Sequence, residues 1–328
     1  MPVGVYPRLS GPLMKKRLET IKTAQGMSFN QKKNHAVKIL DSVFLAGKSV
    51  AVMFSGGRDS CAVAILARKY NPTLLYCDTG LATDYAQERV KIIAKTLCLP
   101  LVVLSPEMDA FTMWREFGHY PIGPKRGHTY LKQKTGISSS PVQCCYQLKE
   151  KPVKKYIQEF KPYLILWGNR ADDSNRRKLG IADHGIVAAP SAKWPCFSVQ
   201  PVALFLDSDI EKMVTGFGLK FDEKAESGCQ VCCTDLGRRD NQLTRCFISN
   251  RAFFNKAILA GLGSQILKAR GEPCEEKDVE NTLAICPQKF LRIPKIGKKS
   301  FGVSKISKIK KIKRQSQDNH QRRLKTAL

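Results

Sequence analysis

A six-residue string is the strongest candidate for chemistry in this sequence, and it reads Ser55, Gly56, Gly57, Arg58, Asp59, Ser60. It lies between an apolar run at 49–54 and a segment with helical spacing of apolar residues. At a strand-to-helix junction, backbone N–H groups and the helix N-terminus can bind a phosphate. Glycines let the backbone approach the oxygens, and the serine hydroxyls and Arg58 add donors. The string predicts a phosphate site, without the longer Gly-to-Gly-Lys spacing of a Walker loop.

Two further groups of polar residues follow apolar runs at 73–77 and 163–167. The first group is Asp78, Thr79 and Gly80; the second is Gly168, Arg170, Ser174 and Arg177. Because open α/β sheets bind ligands at the carboxyl ends of their strands, these groups are expected to converge with the phosphate loop on one nucleotide. The alternative for the two arginines is a solvated basic loop.

The chain contains 12 cysteines, and their positions separate two classes. Those in apolar stretches, Cys61, Cys77 and Cys98, are predicted to be buried thiols that act as small hydrophobes. The others are clustered beside polar residues or glycine: Cys144, Cys145, Cys229, Cys232 and Cys233. Four thiolates from two separated segments suit a [4Fe-4S] cluster, although zinc or a metal-free thiol cluster also fits. Cys233 is left over as a spare ligand, a nucleophile or a persulfide carrier.

The elements that would position these residues alternate along the chain. Strand-like runs at 49–54, 73–77, 101–104 and 163–167 alternate with helical patterns at 30–45, 59–70, 83–98 and 149–160. This order predicts the α/β class, with a doubly wound parallel sheet and helices on both faces. Further helices are predicted over 207–215, capped by Asp207 or Ser208, and over 251–270.

The same patterns divide the chain into four parts. We expect an N-terminal helical extension at 1–47, a nucleotide-binding domain at 48–215 and a cysteine-containing, partly helical region at 216–294. Residues 295–328 form a basic tail with too little apolar surface to fold alone.

The formal net charge of +27 predicts contact with a polyanion. The tail contains 12 Lys or Arg and one acidic residue, so the body is basic as well. DNA or RNA could bind through this surface and the tail; solubility or a small phosphorylated substrate is the alternative. No apolar run is long enough to cross a bilayer, and the N-terminus lacks a signal peptide, so the sequence predicts no membrane contact. We expect a cytoplasmic protein, or one in the host cytoplasm if it is phage-encoded.

Taken together, the motifs carry a family resemblance over residues 48–235. The phosphate string resembles the pyrophosphate loop (PP-loop) of the adenine-nucleotide α-hydrolase group, which includes ATP pyrophosphatases. The two other polar groups resemble stretches of the phosphoadenosine phosphosulfate (PAPS) reductase family. The cysteine pairs resemble those of iron-sulfur adenylylsulfate reductases. The resemblance implies an adenine nucleotide bound by residues of all three groups, and a [4Fe-4S] cluster on Cys144, Cys145, Cys229 and Cys232.

Within that family, two features favour ATP-dependent chemistry over reduction. The Glu-Cys-Gly segment of assimilatory reductases is missing from the sequence, and the loop keeps the form associated with cleaving ATP to AMP and pyrophosphate. The leading hypothesis is adenylation and sulfur transfer (thiolation) on nucleic acid. Asp59 and Cys233 are the catalytic candidates, Mg²⁺ lies near Asp59 or Asp78, and sulfur comes from a donor protein or thiol reductant. The alternatives are a reductase producing sulfite and a nucleic-acid-binding protein without catalysis.

Overall fold

The computed structural model describes residues 11–117, 145–192, 194–221 and 242–291. These residues belong to two compact units, one reaching to Leu262 and the other starting at Gly263. Four of the five clustered cysteines, Cys144, Cys229, Cys232 and Cys233, lie outside the described residues, as does the basic tail at 295–328.

The first unit is built on a six-stranded sheet. Its strands are β1 (Val50–Met53), β2 (Thr73–Cys77), β3 (Leu101–Leu104), β4 (Leu164–Leu166), β5 (Val187–Ala188) and β6 (Phe197–Val199), in the order β3-β2-β1-β4-β6-β5. Every neighbouring pair is parallel except β5 with β6. The four predicted strands are confirmed. The sheet is not purely parallel, however, because a short antiparallel edge strand completes it.

Helices cover both faces of this sheet, as predicted. The described helices of the first unit are α1 (Gly11–Gln25), α2 (Phe29–Val43), α3 (Arg58–Ala67), α4 (Asp84–Leu97), α5 (Ala110–Phe117), α6 (Lys151–Phe160), α7 (Asn175–His184), α8 (Asp207–Gly216), α9 (Gln242–Ser249) and α10 (Arg251–Ala257). Alternate strand residues point to opposite faces. Val52 and Leu74 pack in the core that α2, α3, α4 and α8 share, whereas Ala51 and Leu75 pack with residues of α6.

An apolar cluster and a buried ion pair attach helices α1 and α2 to the rest of the first unit. Helix α1 packs on α7 in a small apolar cluster that contains Ile21 and Ile181. Helix α2 is joined to α8 by a buried ion pair, in which Lys32 Nζ lies 2.7 Å from Asp209 Oδ2. Helices α1 and α2 therefore both pack against the rest of the first unit.

The predicted helical segment over 251–270 is confirmed, but a kink divides it. Helix α10 is followed by a π-helical turn, Ile258–Leu262, and Gly261 adopts φ +108°, which interrupts the helix. The second unit contains α11 (Gly263–Ala269), α12 (Glu276–Ile285) and a short turn, Pro287–Phe290. None of the described helices has the length and apolar character needed to cross a membrane.

Candidate functional site

The phosphate loop, residues 55–60, joins β1 to α3, and hydrogen bonds of the Ser60 side chain link its two ends. The buried Ser60 hydroxyl accepts from the Ser55 backbone N–H at 3.2 Å and donates to the Gly57 carbonyl at 2.9 Å. The exposed Ser55 hydroxyl in turn accepts from the Gly57 N–H at 3.3 Å. Gly57 is the N-cap residue of α3, and no side chain in the described structure caps it. The first-turn N–H groups of α3 therefore remain for an anion.

Two glycines bring the neighbouring elements close to this loop. Gly56 adopts φ +70°, and a Cβ there would lie 2.7 Å from Cγ2 of Val90 on α4. Gly168 follows β4, and a Cβ there would lie 3.1 Å from the Ser60 nitrogen. Larger side chains at either position would displace the loop, so both predicted glycines have a steric role.

The phosphate loop lies at the point where the strand order of the sheet reverses, between β1 and β4. From β1 the chain proceeds to β2 and β3 on one side, whereas β4 and β6 lie on the other. The crevice at such a switch point, outside the carboxyl ends of the strands, is where open α/β sheets bind ligands. The structure therefore brings the segments after β1, β2 and β4 to one edge, as the sequence predicts.

The segment after β2 forms a tight turn. Asp78 Oδ1 accepts from the Gly80 N–H at 3.0 Å and from Gln87 Nε2 at 3.2 Å. The Thr79 hydroxyl is buried and accepts from the Leu81 N–H at 3.3 Å. Both described bonds of Asp78 use Oδ1, so Oδ2 is left for a cation at this half-exposed position.

Arg170, after β4, is 5% exposed and lies among carboxylates. Its Nη2 is 2.7 Å from Asp173 and 2.6 Å from Asp207, and its Nε is 2.9 Å from Asp59. The Asp59 contact is an ion pair without hydrogen-bond geometry, and Nη1 makes no hydrogen bond to any described residue. Arg170 thus ties the first turn of α3 to the β4 loop and to α8. Asp207 pairs with Arg170 and does not cap α8; Asp209 accepts from the Leu206 N–H instead.

The surroundings of Asp59, the predicted catalytic residue on α3, shift its pKa. Burial raises the pKa of Asp59, and the positive charge of Arg170 only partly opposes this. Asp59 is therefore a less favourable position for Mg²⁺ than Asp78, since Arg170 already neutralises its carboxylate.

Ser174 and Arg177 belong to the start of α7. The Ser174 hydroxyl accepts from the Arg177 N–H at 3.3 Å and caps the helix. The exposed Arg177 side chain forms an ion pair with Asp173. Arg58 is also exposed. These two arginines lie at the surface, whereas Arg170 lies inside.

A cavity of about 1040 Å³ opens along this edge. Of the predicted residues, Ser55 and Thr79 line it. Sequence reasoning missed Arg17, Trp167, Asn169, His184, Trp194 and Gln200, which also line it. Asn169 lies within the predicted stretch after β4, between Gly168 and Arg170, but is not among the predicted site residues. No motif marks Arg17, His184, Trp194 or Gln200, which come from α1, the end of α7 and the chain around β6.

The described cysteines differ from the prediction at two positions. Cys61 is buried as expected, but Cys77 lines the cavity and Cys98 is exposed at the end of α4. The Cys77 thiol donates to the Lys149 carbonyl at 3.7 Å, and burial raises its pKa to about 11. Cys145, the one predicted metal ligand among the described residues, is exposed. The described residues by themselves contain no group of three or more potential metal ligands.

Solved structures with a similar course of the chain come from three kinds of enzyme. Phosphoadenylyl-sulfate reductase from Candida auris, in a phosphate complex, has 12% identity and a TM-score of 0.42, covering 66% of this chain and 91% of that one. NMN synthetase from Francisella tularensis has 11% identity and a TM-score of 0.43, covering 79% and 92%. U34-tRNA thiolase from Methanococcus maripaludis, with its [4Fe-4S] cluster, has 13% identity and a TM-score of 0.38, covering 83% and 78%.

Among curated proteins, no sequence matches. A family model, the phosphoadenosine phosphosulfate reductase domain, matches residues 49–223, which is more than half of the chain and includes the phosphate loop and the segments after β2 and β4. The resemblance seen in the motifs is thereby confirmed. The chain belongs to the phosphoadenosine phosphosulfate reductase domain family.

Proposed function

We propose that this chain binds ATP at the phosphate loop, cleaves it to AMP and pyrophosphate, and uses the adenylated intermediate for sulfur transfer to nucleic acid. One observation carries the proposal: the N-terminus of α3 has no side-chain cap and lies at the switch point of the sheet, where the Ser60 hydroxyl braces the loop. Backbone N–H groups fixed in this way stabilise the charge that develops on a departing pyrophosphate.

Named residues would divide the work around the nucleotide. The loop N–H groups and the Ser55 hydroxyl would hold the β and γ phosphates. Arg170, whose Nη1 makes no hydrogen bond to the described residues and lies 3.7 Å from Asp172 Oδ2, would hold the loop carboxylates in place beside the nucleotide. Mg²⁺ at Asp78 Oδ2 would neutralise phosphate charge.

In the reaction, an acceptor oxygen attacks the α-phosphate and the bond to the β-phosphate breaks. Pyrophosphate leaves with that bond's electron pair. Hydrosulfide then attacks the activated acceptor atom and forms the bond to sulfur, while the bond from that atom to the AMP oxygen breaks and AMP leaves with its electron pair. Where a Cys233 persulfide carries the sulfur, two electrons from a thiol reductant, which becomes a disulfide, cleave the S–S bond and release that hydrosulfide. This order keeps ATP cleavage separate from sulfur delivery, so each step has its own assay.

Sulfur handling is proposed for the clustered cysteines. Cys144, Cys145, Cys229 and Cys232 would hold a [4Fe-4S] cluster, or alternatively zinc, and Cys233 would carry the transferred sulfur. The pairing of these cysteines in two separated segments supports this role. A bound cluster would supply a site where sulfide is held or activated. Anaerobic purification followed by iron, sulfide and zinc analysis tests the assignment, and a protein lacking all three would contradict it.

Nucleic acid is proposed as acceptor because the net charge is +27. The test incubates the full chain with ATP, Mg²⁺ and pools of tRNA or single-stranded DNA and measures pyrophosphate. Release should depend on Ser55, so Ser55→Ala lowers it about tenfold through removal of one donor to a charged group. Ser42→Ala removes an exposed hydroxyl of α2 and serves as the control. Oligonucleotide binding without any pyrophosphate would instead indicate a non-catalytic binding protein.

A second candidate is reduction of adenylylsulfate or its 3′-phosphorylated form to sulfite. The family description and the paired cysteines favour it. Sulfite formed with a thiol donor, in the absence of ATP, would establish this activity and displace the first proposal.

A further inference from the structure

The cavity is longer than one phosphate site requires. Its lining runs from the end of β2, at Cys77 and Thr79, across β1 and β4 to β5, at Val187 and Ala188. In the observed strand order that is four strand spacings, or about 19 Å at ~4.8 Å each. Its volume of about 1040 Å³ lies at the upper end of the ~300–1,000 Å³ that small-molecule sites usually have. A second ligand group therefore has room beyond the phosphate loop.

The part of the cavity away from β2 is lined by basic, aromatic and hydrogen-bonding side chains. We call it the distal lobe; its lining includes Arg17, His184, Ser191, Trp194 and Gln200. The Trp194 ring lies 5.2 Å from that of Trp167, which also lines the cavity, and the two meet edge to face. The Ser191 hydroxyl accepts from the Trp194 N–H at 3.2 Å and fixes that turn.

This combination suits a nucleobase and its sugar-phosphate. A flat aromatic ring can stack on an indole, while serine and glutamine side chains offer donors and acceptors for base edges. An unpaired, unstacked base exposes both the ring face and the edges that such a lobe can contact.

The rim of the distal lobe is basic. Helices α1 and α7, which pack on each other, contain seven Lys or Arg and two acidic residues. Arg17 connects the rim to the lobe, because it lines the cavity and donates to the carbonyls of Ala182 and Asp183 at the end of α7. Lys16 and Arg176 are both exposed on these helices. A polyanion is the partner that such a rim favours.

We propose that the α1–α7 rim binds the backbone of a single-stranded nucleic acid and that the distal lobe receives one of its bases. This inference rests on the proposed function, for which it names the acceptor subsite. The nucleotide side of the cavity and the acceptor side would then meet at the switch point, with the phosphate loop between them.

Charge-reversal variants, measured in the absence of ATP, test whether the α1–α7 rim binds nucleic acid. The double variant Lys16→Glu/Arg176→Glu is compared with Lys33→Glu/Lys38→Glu, two exposed lysines of α2, which packs in the core shared with α3, α4 and α8 and not in the α1–α7 cluster. Both variants change the net charge equally. Fluorescence anisotropy with labelled single-stranded RNA and DNA of the same base order measures affinity against salt. The rim variant should bind at least about tenfold more weakly and lower the salt slope by about 0.7 for each phosphate that it no longer neutralises; the control should change affinity less than about twofold.

Substitution of Trp194 tests the lobe. Trp194→Leu should weaken oligonucleotide binding by about 5- to 100-fold because base stacking is removed, and Trp194→Phe should restore most of it. ATP binding by both variants, measured separately, reports that the fold is intact. The RNA and DNA arms show which sugar the lobe accepts.

Three outcomes would overturn this inference. They are equal effects of the two charge reversals, equal affinity of Trp194→Leu and wild type, and no oligonucleotide binding by wild type. Oligonucleotide binding that responds as expected in a protein that releases no pyrophosphate would instead remove the proposed reaction and retain the lobe as a binding site. The two proposals can therefore fail separately.

Discussion

Ser60 shows how a residue of the right type can have a different role from the one its motif suggests. The sequence predicts that its hydroxyl contacts phosphate, but the structure uses that hydroxyl inside the loop, between Ser55 and Gly57. The backbone of the loop, with Ser55 on its exposed side, is then the surface that remains for phosphate. A motif indicates which residues are needed, and only the packing shows which of them face the ligand.

Ser60→Ala should therefore weaken ATP binding indirectly. Three hydrogen-bond contacts of the Ser60 hydroxyl disappear, to the Ser55 N–H, the Ser55 hydroxyl and the Gly57 carbonyl. At about 1 kcal/mol for each hydrogen bond, we expect about tenfold lower ATP affinity and a lower free energy of unfolding. Calorimetric titration with ATP and urea unfolding measure the two effects. Ser42→Ala is the matched control, since its exposed hydroxyl donates only to Ile39 in its own helix. Unchanged ATP affinity in Ser60→Ala would contradict the claim that hydrogen bonds of Ser60 hold the phosphate loop in its binding conformation.

Cys77 offers a chemical probe of the cavity. With a pKa of about 11, roughly one thiol in 1,000 is ionised at pH 8. Because the raised pKa disfavours the thiolate, alkylation of Cys77 should be slow at pH 8 and rise about tenfold per pH unit up to that pKa. ATP should slow it further, because Cys77 lines the cavity, without affecting the exposed Cys98. Mass spectrometry after iodoacetamide treatment measures both rates, and equal protection of both thiols would count against a nucleotide in this cavity.

At the scale of elements, the sequence predicts those strands and helices that have a long run or a regular spacing of apolar residues. Strands β1 to β4 are runs of apolar residues, and α2, α3, α4 and α6 have clear helical spacing, so their existence and order follow from the sequence. Strands β5 and β6 are two and three residues long and carry no such pattern. Residues of the distal lobe lie on α1 or next to these two strands. The sequence pattern therefore does not predict that they line a site.

The buried pair between α2 and α8 gives a prediction at this scale. Lys32 is 2% exposed, and Lys32→Met would leave the Asp209 carboxylate without its partner. The free energy of unfolding should fall by about 3 kcal/mol. Lys33→Met, at the exposed neighbouring position, should change it by less than about 0.5 kcal/mol. Urea unfolding of the two variants compares them, and equal midpoints would show that the pair does not hold α2 in place.

At the scale of the whole molecule, charge is the dominant property. The +27 net charge has two parts, because residues 295–328 contribute 12 Lys or Arg against one acidic residue and the body provides the rest. Charge and composition indicate a polyanionic partner, but they do not locate its surface. The proposed rim on α1 and α7 is one binding surface, and the tail is a second candidate.

Deletion of residues 295–328 separates these two contributions. If the tail binds phosphates of a single-stranded nucleic acid, the slope of log affinity against log salt should fall by about 0.7 for each phosphate that the tail neutralises. Residual binding should still respond to Lys16→Glu/Arg176→Glu. Anisotropy titrations at several salt concentrations measure this, and an unchanged slope would exclude the tail as a binding surface.

The phosphate loop is proposed to support cleavage between the α and β phosphates of ATP, and the rest of the proposed reaction depends on this step. Incubation of the anaerobically purified full chain with α-³²P-labelled ATP, Mg²⁺ and acceptor nucleic acid, followed by chromatography, identifies the labelled product directly. We expect labelled AMP, or label attached to the acceptor, with an equal amount of pyrophosphate and a strong decrease in Ser55→Ala. Labelled ADP with free phosphate, or intact ATP under all these conditions, would contradict the proposed cleavage.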